Sequence, residues 1–421
     1  MENGKGIEEI DMENGYCRFC GEKLETTMID LGLSPLSNEY VTAKDIYRGQ
    51  FFYPLVVHVC PKCFLTQAAM YQQPEQIFGE YQYFSSFSSS WLEHCKEYVS
   101  MIVPRLKLNE SSHVLEIACN DGYLLQYFLP YHIPVKGIDP AKNVIEKAAE
   151  RGIPVECGFF DEDSAQAMSA NGERYDLIIG NNVLAHVPDI GRFVAGLPVV
   201  LGETGTVTME FPHLMRLLEY AQFDTIYHEH FSYLSLGTVC TVFERYGLKI
   251  YDVEELPTHG GSLRIYAAHV EDPSHSTSGR VEEMLQRECD FGLRDMAVYR
   301  SFSQRASRIK LDTLSLFAEL KRNNKKIMAF GAAAKGNTFI NYCGIKRDII
   351  DGVFDSNIHK QGLYLPGSLI PILSPDTLKE QRPDYLLILP WNLSREIAES
   401  ASCIREWGGK FITCIPEVRV F

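Results

Sequence analysis

The sequence predicts an α/β protein: two α/β domains, each built on a parallel sheet, behind a small N-terminal zinc-binding domain. Three observations carry this. Four cysteines fall into two CxxC pairs near the N-terminus. From residue 113 to 183, β-type apolar runs alternate with helical runs. A second alternation of the same kind occupies residues 326–415. Strands separated by helices imply parallel sheets covered on both faces.

The chain has 421 residues, enough for two to four domains at roughly 100–200 residues each. A hydrophobic share of 45% supports packed cores. The net charge of −15 repels phosphate backbones, so nucleic acid is not an expected partner. A local basic pocket can still take a small anion. The N-terminus is polar and acidic where a secretory signal starts basic and then apolar. No apolar run approaches the ~20 residues a bilayer requires. A soluble, cytoplasmic protein without a membrane partner is expected. Eight of the 12 cysteines are scattered singly and read mostly as small buried residues of a reducing compartment.

The other four are Cys17-Arg-Phe-Cys20 and Cys60-Pro-Lys-Cys63. Two thiolates on each tight turn can reach one tetrahedral ion. The gap between the pairs is longer than in common zinc ribbons. Four thiolates close the shell and leave no position for substrate, so the ion expected is structural Zn2+. Four unrelated thiols, or a redox CxxC lacking its usual βαβ surroundings, are the other readings.

In the middle region, His113-Val-Leu-Glu116-Ile-Ala-Cys-Asn120-Asp121-Gly122 reads as strand and loop, followed by helix. The next strand, Val135-Lys-Gly-Ile-Asp139-Pro140, ends in an acid. A helix is expected over 142–151, then strands at Ile153-Pro-Val-Glu and Tyr175 to Asn181-Asn182. Ligands of such sheets bind at the carboxyl ends of the strands. Glu116 and Asp139 both lie there, and an acid at the second strand suits a ribose diol. The first loop lacks GxGxxG: Ala118 and Asn120 stand where glycines would admit a pyrophosphate. S-adenosyl-L-methionine, which has none, fits such a loop; NAD does not. Gly122, Pro140, Asn181 and Asn182 complete the expected cofactor set. For Asp139, an ordinary helix cap with Pro140 as first helical residue is the alternative.

Tyr227-His228-Glu229-His230-Phe231-Ser232-Tyr233 concentrates proton-handling groups. If extended, Tyr227 and Glu229 face one way and the histidines the other; if helical, they spread around the axis. The sequence leaves both open. HxH can chelate a metal, but no HExxH or further ligand stands near; a solvated polar turn is another reading. Farther on, Arg264 in His259-Gly-Gly-Ser-Leu-Arg264-Ile-Tyr is a diphosphate contact or a surface-strand arginine. Residues 271–280 suggest a linker, and helical pattern runs from 281 to 322. Gly331-Ala-Ala-Ala-Lys335-Gly336-Asn337-Thr338 nearly matches a Walker loop, but its lysine precedes the second glycine. A helix N-terminus there still favours an anion.

The ordered set of CxxC pairs, YxYFSS, LEIACNDG, NNVLAHVPD, YHEHFSY, HGGSLRIY, GAAAKGN and LPWN resembles the sugar C-3-methyltransferases that act on nucleotide-linked 4-keto-deoxysugars. The resemblance runs from Cys17 to near the C-terminus. It implies a zinc-binding domain over 1–80, a class I SAM-dependent methyltransferase domain over 81–275 and a Rossmann-like sugar-nucleotide-binding domain over 276–421. The family loop usually carries glycine where this chain has Ala118. By resemblance, Tyr83, His186, Tyr227, Glu229 and His230 fall at active-site positions. His230 would be the base that makes a C3 enolate from a nucleoside-diphosphate-linked 4-keto-6-deoxysugar. Tyr227 and Glu229 would orient it or hold the sugar, and His186 would be a second donor beside the cofactor. His228, Arg264, Lys335, Asn337, Trp391 and Asn392 are the expected substrate contacts. The alternatives are a small-molecule O- or N-methyltransferase and a zinc-ribbon binding protein without catalysis. The nucleotide (dTDP, GDP or CDP), a hydroxyl or amino group at C3, the stereochemistry, the pathway (antibiotic or surface polysaccharide) and the oligomeric state, monomer included, stay open at this stage.

Overall fold

A computed structural model describes residues 15–72, 86 and 89–421. The chain runs through strands β1 (Thr26–Ser34), β2 (Tyr53–Val59) and β3 (Thr66–Ala68), helix α1 (Ser89–Leu106), β4 (Val114–Ile117), β5 (Val135–Asp139), α2 (Lys142–Glu150), β6 (Val155–Cys157) and α3 (Glu162–Ala170). It continues with β7 (Tyr175–Asn181), α4 (Ile190–Val200), β8 (Leu201–Pro212), α5 (Leu214–Glu219), β9 (Ser232–Tyr233), α6 (Leu236–Arg245), β10 (Leu248–Leu256) and β11 (Ser262–His269). Helices α7 (Gly279–Phe291) and α8 (Met296–Arg322) lead into β12 (Ile327–Phe330), α9 (Ala334–Cys343), β13 (Val353–Phe354) and β14 (Ile372–Leu373). The chain closes with α10 (Leu378–Gln381), β15 (Tyr385–Ile388), α11 (Ser394–Ser400), β16 (Lys410–Thr413) and β17 (Arg419–Val420). Among the described residues, no helix is long and apolar enough to cross a membrane.

The described residues divide into two compact units, each discontinuous in sequence. The first comprises the segment ending at Leu24, Cys60–Leu214 and Phe231–Arg294. The second comprises Glu25–Val59, Met215–His230 and Asp295–Phe421.

The first unit is built on a seven-stranded sheet of order β10-β11-β8-β7-β4-β5-β6. Strands β4 to β8 run parallel, and β11 is antiparallel to both β8 and β10. Alternate residues of each strand feed opposite cores, as a two-residue period requires. Leu115, Ile117, Ile178, Ile265 and Ala267 enter one cluster. Val114, Leu177, Ile179, Tyr266 and Ala268 enter the other, with Tyr98, Val99 and Ile102 of α1. The strand order reverses beside β4, which puts a crevice at the carboxyl ends of β4, β5 and β7. A short antiparallel pair, β3 with β9, sets Gln67 opposite Ser232.

The second unit holds the antiparallel pair β1–β2 and a sheet of order β14-β13-β12-β15-β16-β17, parallel except for β17. Met328, Phe354, Leu386, Ile388 and Phe411 form its core. The helical run expected over 281–322 is two helices. Gly292, at φ 94°, ends α7 in the left-handed region, and Asp295 caps α8 by accepting from the Ala297 amide. The strand expected from Ile153 begins at Val155.

Candidate functional site

The two cysteine pairs converge. All four Sγ atoms lie within 4.8 Å of one another, with Cys17–Cys63 at 3.6 Å and Cys20–Cys60 at 3.4 Å. A zinc ion bound at about 2.3 Å by four thiolates in a tetrahedron would set them about 3.8 Å apart, so the donor set fits. The Lys62 and Cys63 amides point at Cys60 Sγ at 3.4 and 3.5 Å, and the Gln67 amide donates to Cys17 Sγ at 3.3 Å. Such bonds orient thiolates around a metal. The four-cysteine shell is closed, so this zinc-binding domain is structural.

The loop after β4 carries several of the residues expected to hold the cofactor. Ala118, Asn120 and Gly122 all have positive φ, at 59°, 48° and 75°. Every second residue is therefore left-handed, though only one is glycine. A Cβ at Gly122 would in addition lie 2.4 Å from the tip of the Ile153 side chain, which would have to shift. Asp139 ties the loop down, accepting from the Asn120 amide on one oxygen and from the Ala141 amide on the other, both at 2.9 Å. The capping alternative for Asp139 thus holds in part, but α2 starts at Lys142, not at Pro140. Burial raises the Asp139 carboxyl against these two bonds and pushes Glu116, fully buried at the end of β4, well above the usual range. Asn181, at the end of β7, is buried with neither amide atom hydrogen-bonded to the described residues. An orphaned amide at the carboxyl end of a central strand, in the same sheet as the buried acids that end β4 and β5, suits the polar amino-acid end of S-adenosyl-L-methionine. Asn182 follows at φ 54°, and its amide lies 3.2 Å from His259 Nε2. His186 sits half-buried in the single turn Leu184–His186.

Arg264, expected on a diphosphate, is buried on β11. Its Nε donates to Glu210 Oε1 at 2.8 Å, a second nitrogen meets the same oxygen, and the guanidinium lies over the Tyr98 ring at 4.6 Å. His94 contacts the Glu210 carboxylate at 2.9 and 3.1 Å. Burial opposes ionisation of Glu210, but His94 and Arg264 outweigh it and hold its carboxyl below the usual range. Arg264 is thus engaged in a buried ion-pair network.

In the second unit, the segment Tyr227 to His230 is neither extended nor helical. It is a tight turn closed by the His230 amide on the Tyr227 carbonyl at 2.9 Å. The turn brings the Tyr227 hydroxyl to 2.8 Å from His230 Nε2. His230 Nδ1 lies 2.9 Å from the Thr225 carbonyl, which can only accept. Nδ1 therefore carries the proton, and Nε2 is the basic nitrogen. His228 and Glu229 form the corners. His228 is buried, with Nε2 bonded to the Pro54 carbonyl at 3.2 Å, and burial lowers its pKa. Glu229 accepts from the Asn38 amide at 2.6 Å; burial pushes its carboxyl up to about 7, against Asn38 and Lys360.

The turn is anchored to α9, whose Thr338 hydroxyl donates to the Ile226 carbonyl at 2.9 Å. Asn337 is buried, its amide donating to the Ser37 carbonyl at 2.6 Å. Lys335 Nζ donates to Asn392 at 2.9 Å and lies 5.7 Å from the Trp391 ring centre. The Trp391 indole donates to Asp224 at 2.8 Å. Burial raises Asp224 to about 6, with Lys335 and Trp391 pulling the other way. The structure therefore brings Lys335, Trp391 and Asn392 together around Asp224, and joins Tyr227 to His230. Tyr83 lies outside the described residues. Asp224, Asn38, Lys360, His94 and Glu210 were not singled out from the sequence. Nothing in their local spacing marks them, because each acquires meaning from a partner more than 100 residues away.

Three family models match the chain. One described as a zinc binding domain covers residues 17–78, one described as a methyltransferase domain covers 91–253, and one described as a C-methyltransferase C-terminal domain covers 257–416. The C-methyltransferase NovU of Streptomyces niveus is 35% identical over 405 residues, 96% of each chain. A ubiquinone biosynthesis O-methyltransferase of Bartonella quintana is 27% identical over 99 residues, 23% of this chain and 40% of that one. Among solved structures, magnesium protoporphyrin IX methyltransferase from Synechocystis PCC 6803 aligns with a TM-score of 0.35 at 14% identity, over 46% of this chain and 92% of that one.

Proposed function

This chain belongs to the S-adenosylmethionine-dependent C-methyltransferases, with a class I methyltransferase fold in its first unit, and we propose that it methylates C3 of a nucleoside-diphosphate-linked 4-keto-6-deoxysugar in branched deoxysugar biosynthesis. The observation that carries this reading is the Tyr227–His230 pair. Methylating carbon requires a carbon nucleophile, and a proton next to a ketone is the accessible one. Its removal asks for a base with a pKa near the working pH, within hydrogen-bond reach. Imidazole is the side chain whose ordinary pKa lies in that range, and the Thr225 carbonyl fixes which nitrogen of His230 is free to take the proton.

In this reading His230 Nε2 takes the C3 proton, and the electron pair moves onto the C4 carbonyl oxygen. The Tyr227 hydroxyl leaves Nε2 as the imidazole becomes protonated and donates to that oxygen, where the charge develops. S-adenosyl-L-methionine, when bound, supplies an electrophilic methyl group that C3 captures as the thioether leaves. Glu116, Asp139, Asn181 and the loop of Ala118, Asn120 and Gly122 would hold it, with Pro140, Asn182 and His186 beside them. Glu229, poised near neutrality, can donate to or accept from a sugar hydroxyl. Lys335, held among Asn392, Trp391 and Asp224, supplies the cation for the diphosphate. We assign His228 and Asn337 as braces, since each gives a donor to a main-chain carbonyl, Pro54 and Ser37, and Arg264 as a group that, with His94, keeps Glu210 ionised. The Tyr83 role rests on the resemblance alone.

The test is a panel of dTDP-, GDP- and CDP-linked 4-keto-6-deoxysugars incubated with S-adenosyl-L-methionine, the products resolved by NMR. A new methyl on C3 of one of them is expected. A methyl on oxygen or nitrogen would move the enzyme to a different reaction.

A further inference from the structure

We propose that Arg18, inside the first CxxC pair, is a positioning residue for the reaction: it ties the zinc knuckle to the loop that carries His186 and to the backbone that leaves His230. All three of its guanidinium nitrogens are used, and all on main-chain carbonyls. Nε donates to Pro188 at 3.1 Å, one terminal nitrogen donates to Ala68 at 2.7 Å, and the other donates to Phe231 at close range. Pro188 is two residues beyond His186, and Phe231 directly follows His230.

These acceptors belong to one clasp. The Phe231 amide donates to Ala185 at 2.8 Å, and the Ala68 amide donates to the Phe231 carbonyl at 3.0 Å. The loop of residues 185–188, the start of β9 and the end of β3 are therefore laced together, with the guanidinium at the junction. Gln67 connects the clasp to the metal ligands. Its side-chain oxygen accepts from the Arg18 amide at 3.1 Å while its nitrogen donates to Cys17 Sγ at 3.3 Å.

A planar fork of five N–H donors can satisfy three carbonyls in fixed directions; an ammonium cannot. None of these contacts serves the four thiolates, so a role confined to holding zinc leaves the guanidinium unexplained. A role in placing residues 185–188 and 231 explains each bond. Displacing reacting groups by about 1 Å can cost on the order of 100-fold in rate. That magnitude is the one expected if the clasp slackens.

The inference rests on the roles given above to His186 and His230, so the test has one readout that does not depend on them. Arg18→Lys and Arg18→Gln are compared with the wild-type protein. Zinc content, melting temperature and affinity for S-adenosyl-L-methionine are measured first, then amide hydrogen exchange over residues 185–188 and 231–233, then kcat and KM on the accepted ketosugar. Arg18→Lys is expected to hold one zinc and keep its melting temperature and cofactor affinity. Its amides at 185–188 and 231–233 should exchange about tenfold faster, and kcat should fall on the order of 100-fold with KM unchanged. Unchanged exchange overturns the proposal, as does faster exchange with unchanged kcat. Loss of zinc or of the fold in both variants also overturns it, because the arginine would then serve the fold. If the wild-type protein methylates no ketosugar, the functional reading fails while the exchange data still decide the role of Arg18.

Discussion

The Tyr227 hydroxyl and His230 Nε2 stand 2.8 Å apart at the two ends of one tight turn, with their rings 4.0 Å apart between centres. A turn closed by its first carbonyl and fourth amide places side chains three residues apart on the same side. The residues between them are sent elsewhere, His228 to Pro54 and Glu229 to Asn38. Four consecutive polar side chains are thereby sorted into a hydrogen-bonded pair and two buried corners.

Ala118 holds a conformation that suits glycine. Its φ of 59° costs an L-residue roughly 1–2 kcal/mol. Ala118→Gly relieves this at the expense of greater chain freedom when unfolded, worth about 0.4–1 kcal/mol. Urea unfolding should therefore show a net gain of about 0.5 kcal/mol, with cofactor affinity retained. A clear loss of stability would mean that the alanine methyl makes contacts that outweigh the strain.

Glu229 gives a pH signature. Its carboxyl rises from 4.5 to about 7 because burial disfavours the charged form. A carboxyl raised on folding adds stability that is complete below its unfolded pKa near 4.5 and is lost as pH climbs through about 7. At about 1.4 kcal/mol per unit, the whole effect is on the order of 3 kcal/mol. Glu229→Gln keeps an acceptor for Asn38 and cannot ionise. Its stability relative to wild type should therefore improve by about 3 kcal/mol between about pH 4 and pH 8.5. A difference that stays flat with pH would rule out the buried, titrating carboxyl.

Lys335 and Asp224 should separate substrate from cofactor. Lys335→Ala removes a cation that pulls the Asp224 carboxyl down from the rise caused by burial. KM for the sugar nucleotide should rise about 10- to 100-fold, as for a lost charge-assisted contact of about 1.5–3 kcal/mol. KM for S-adenosyl-L-methionine should not move. Equal changes in both constants would argue against a substrate contact.

The zinc shell should behave as a structural one. Cys63→Ser leaves three thiolates, and the variant is expected to lose zinc and to melt at lower temperature. Chelation of the wild-type protein should give the same result, since metal binding and folding are coupled in such modules. Full activity after complete zinc removal would contradict a structural role.

What the sequence could carry follows from range. Both CxxC turns are local, and their spacing alone sufficed to expect the convergence of Cys17, Cys20, Cys60 and Cys63. The alternating runs likewise announced the parallel sheets, and the strand-end acids Glu116 and Asp139 marked the crevice. The shape of residues 227–230 was not legible, because a four-residue turn has neither a period of two nor one of 3.6. Arg264 looked available for a ligand because its neighbour across the sheet, Glu210, lies 54 residues earlier. Asn38 and Asp224 were invisible for the same reason. The helix break at Gly292 was overlooked because the apolar pattern resumes in register beyond it.

The most direct measurement is exchange of the C3 proton. The accepted 4-ketosugar nucleotide is incubated in D2O with enzyme and S-adenosylhomocysteine, so that no methyl can be transferred, and C3 is followed by NMR. The wild-type protein is expected to wash deuterium into C3. His230→Asn, which can still donate to the Thr225 carbonyl, should fold, bind the cofactor product and slow that exchange by about 100- to 10,000-fold. Exchange at the wild-type rate in His230→Asn would contradict His230 as the base.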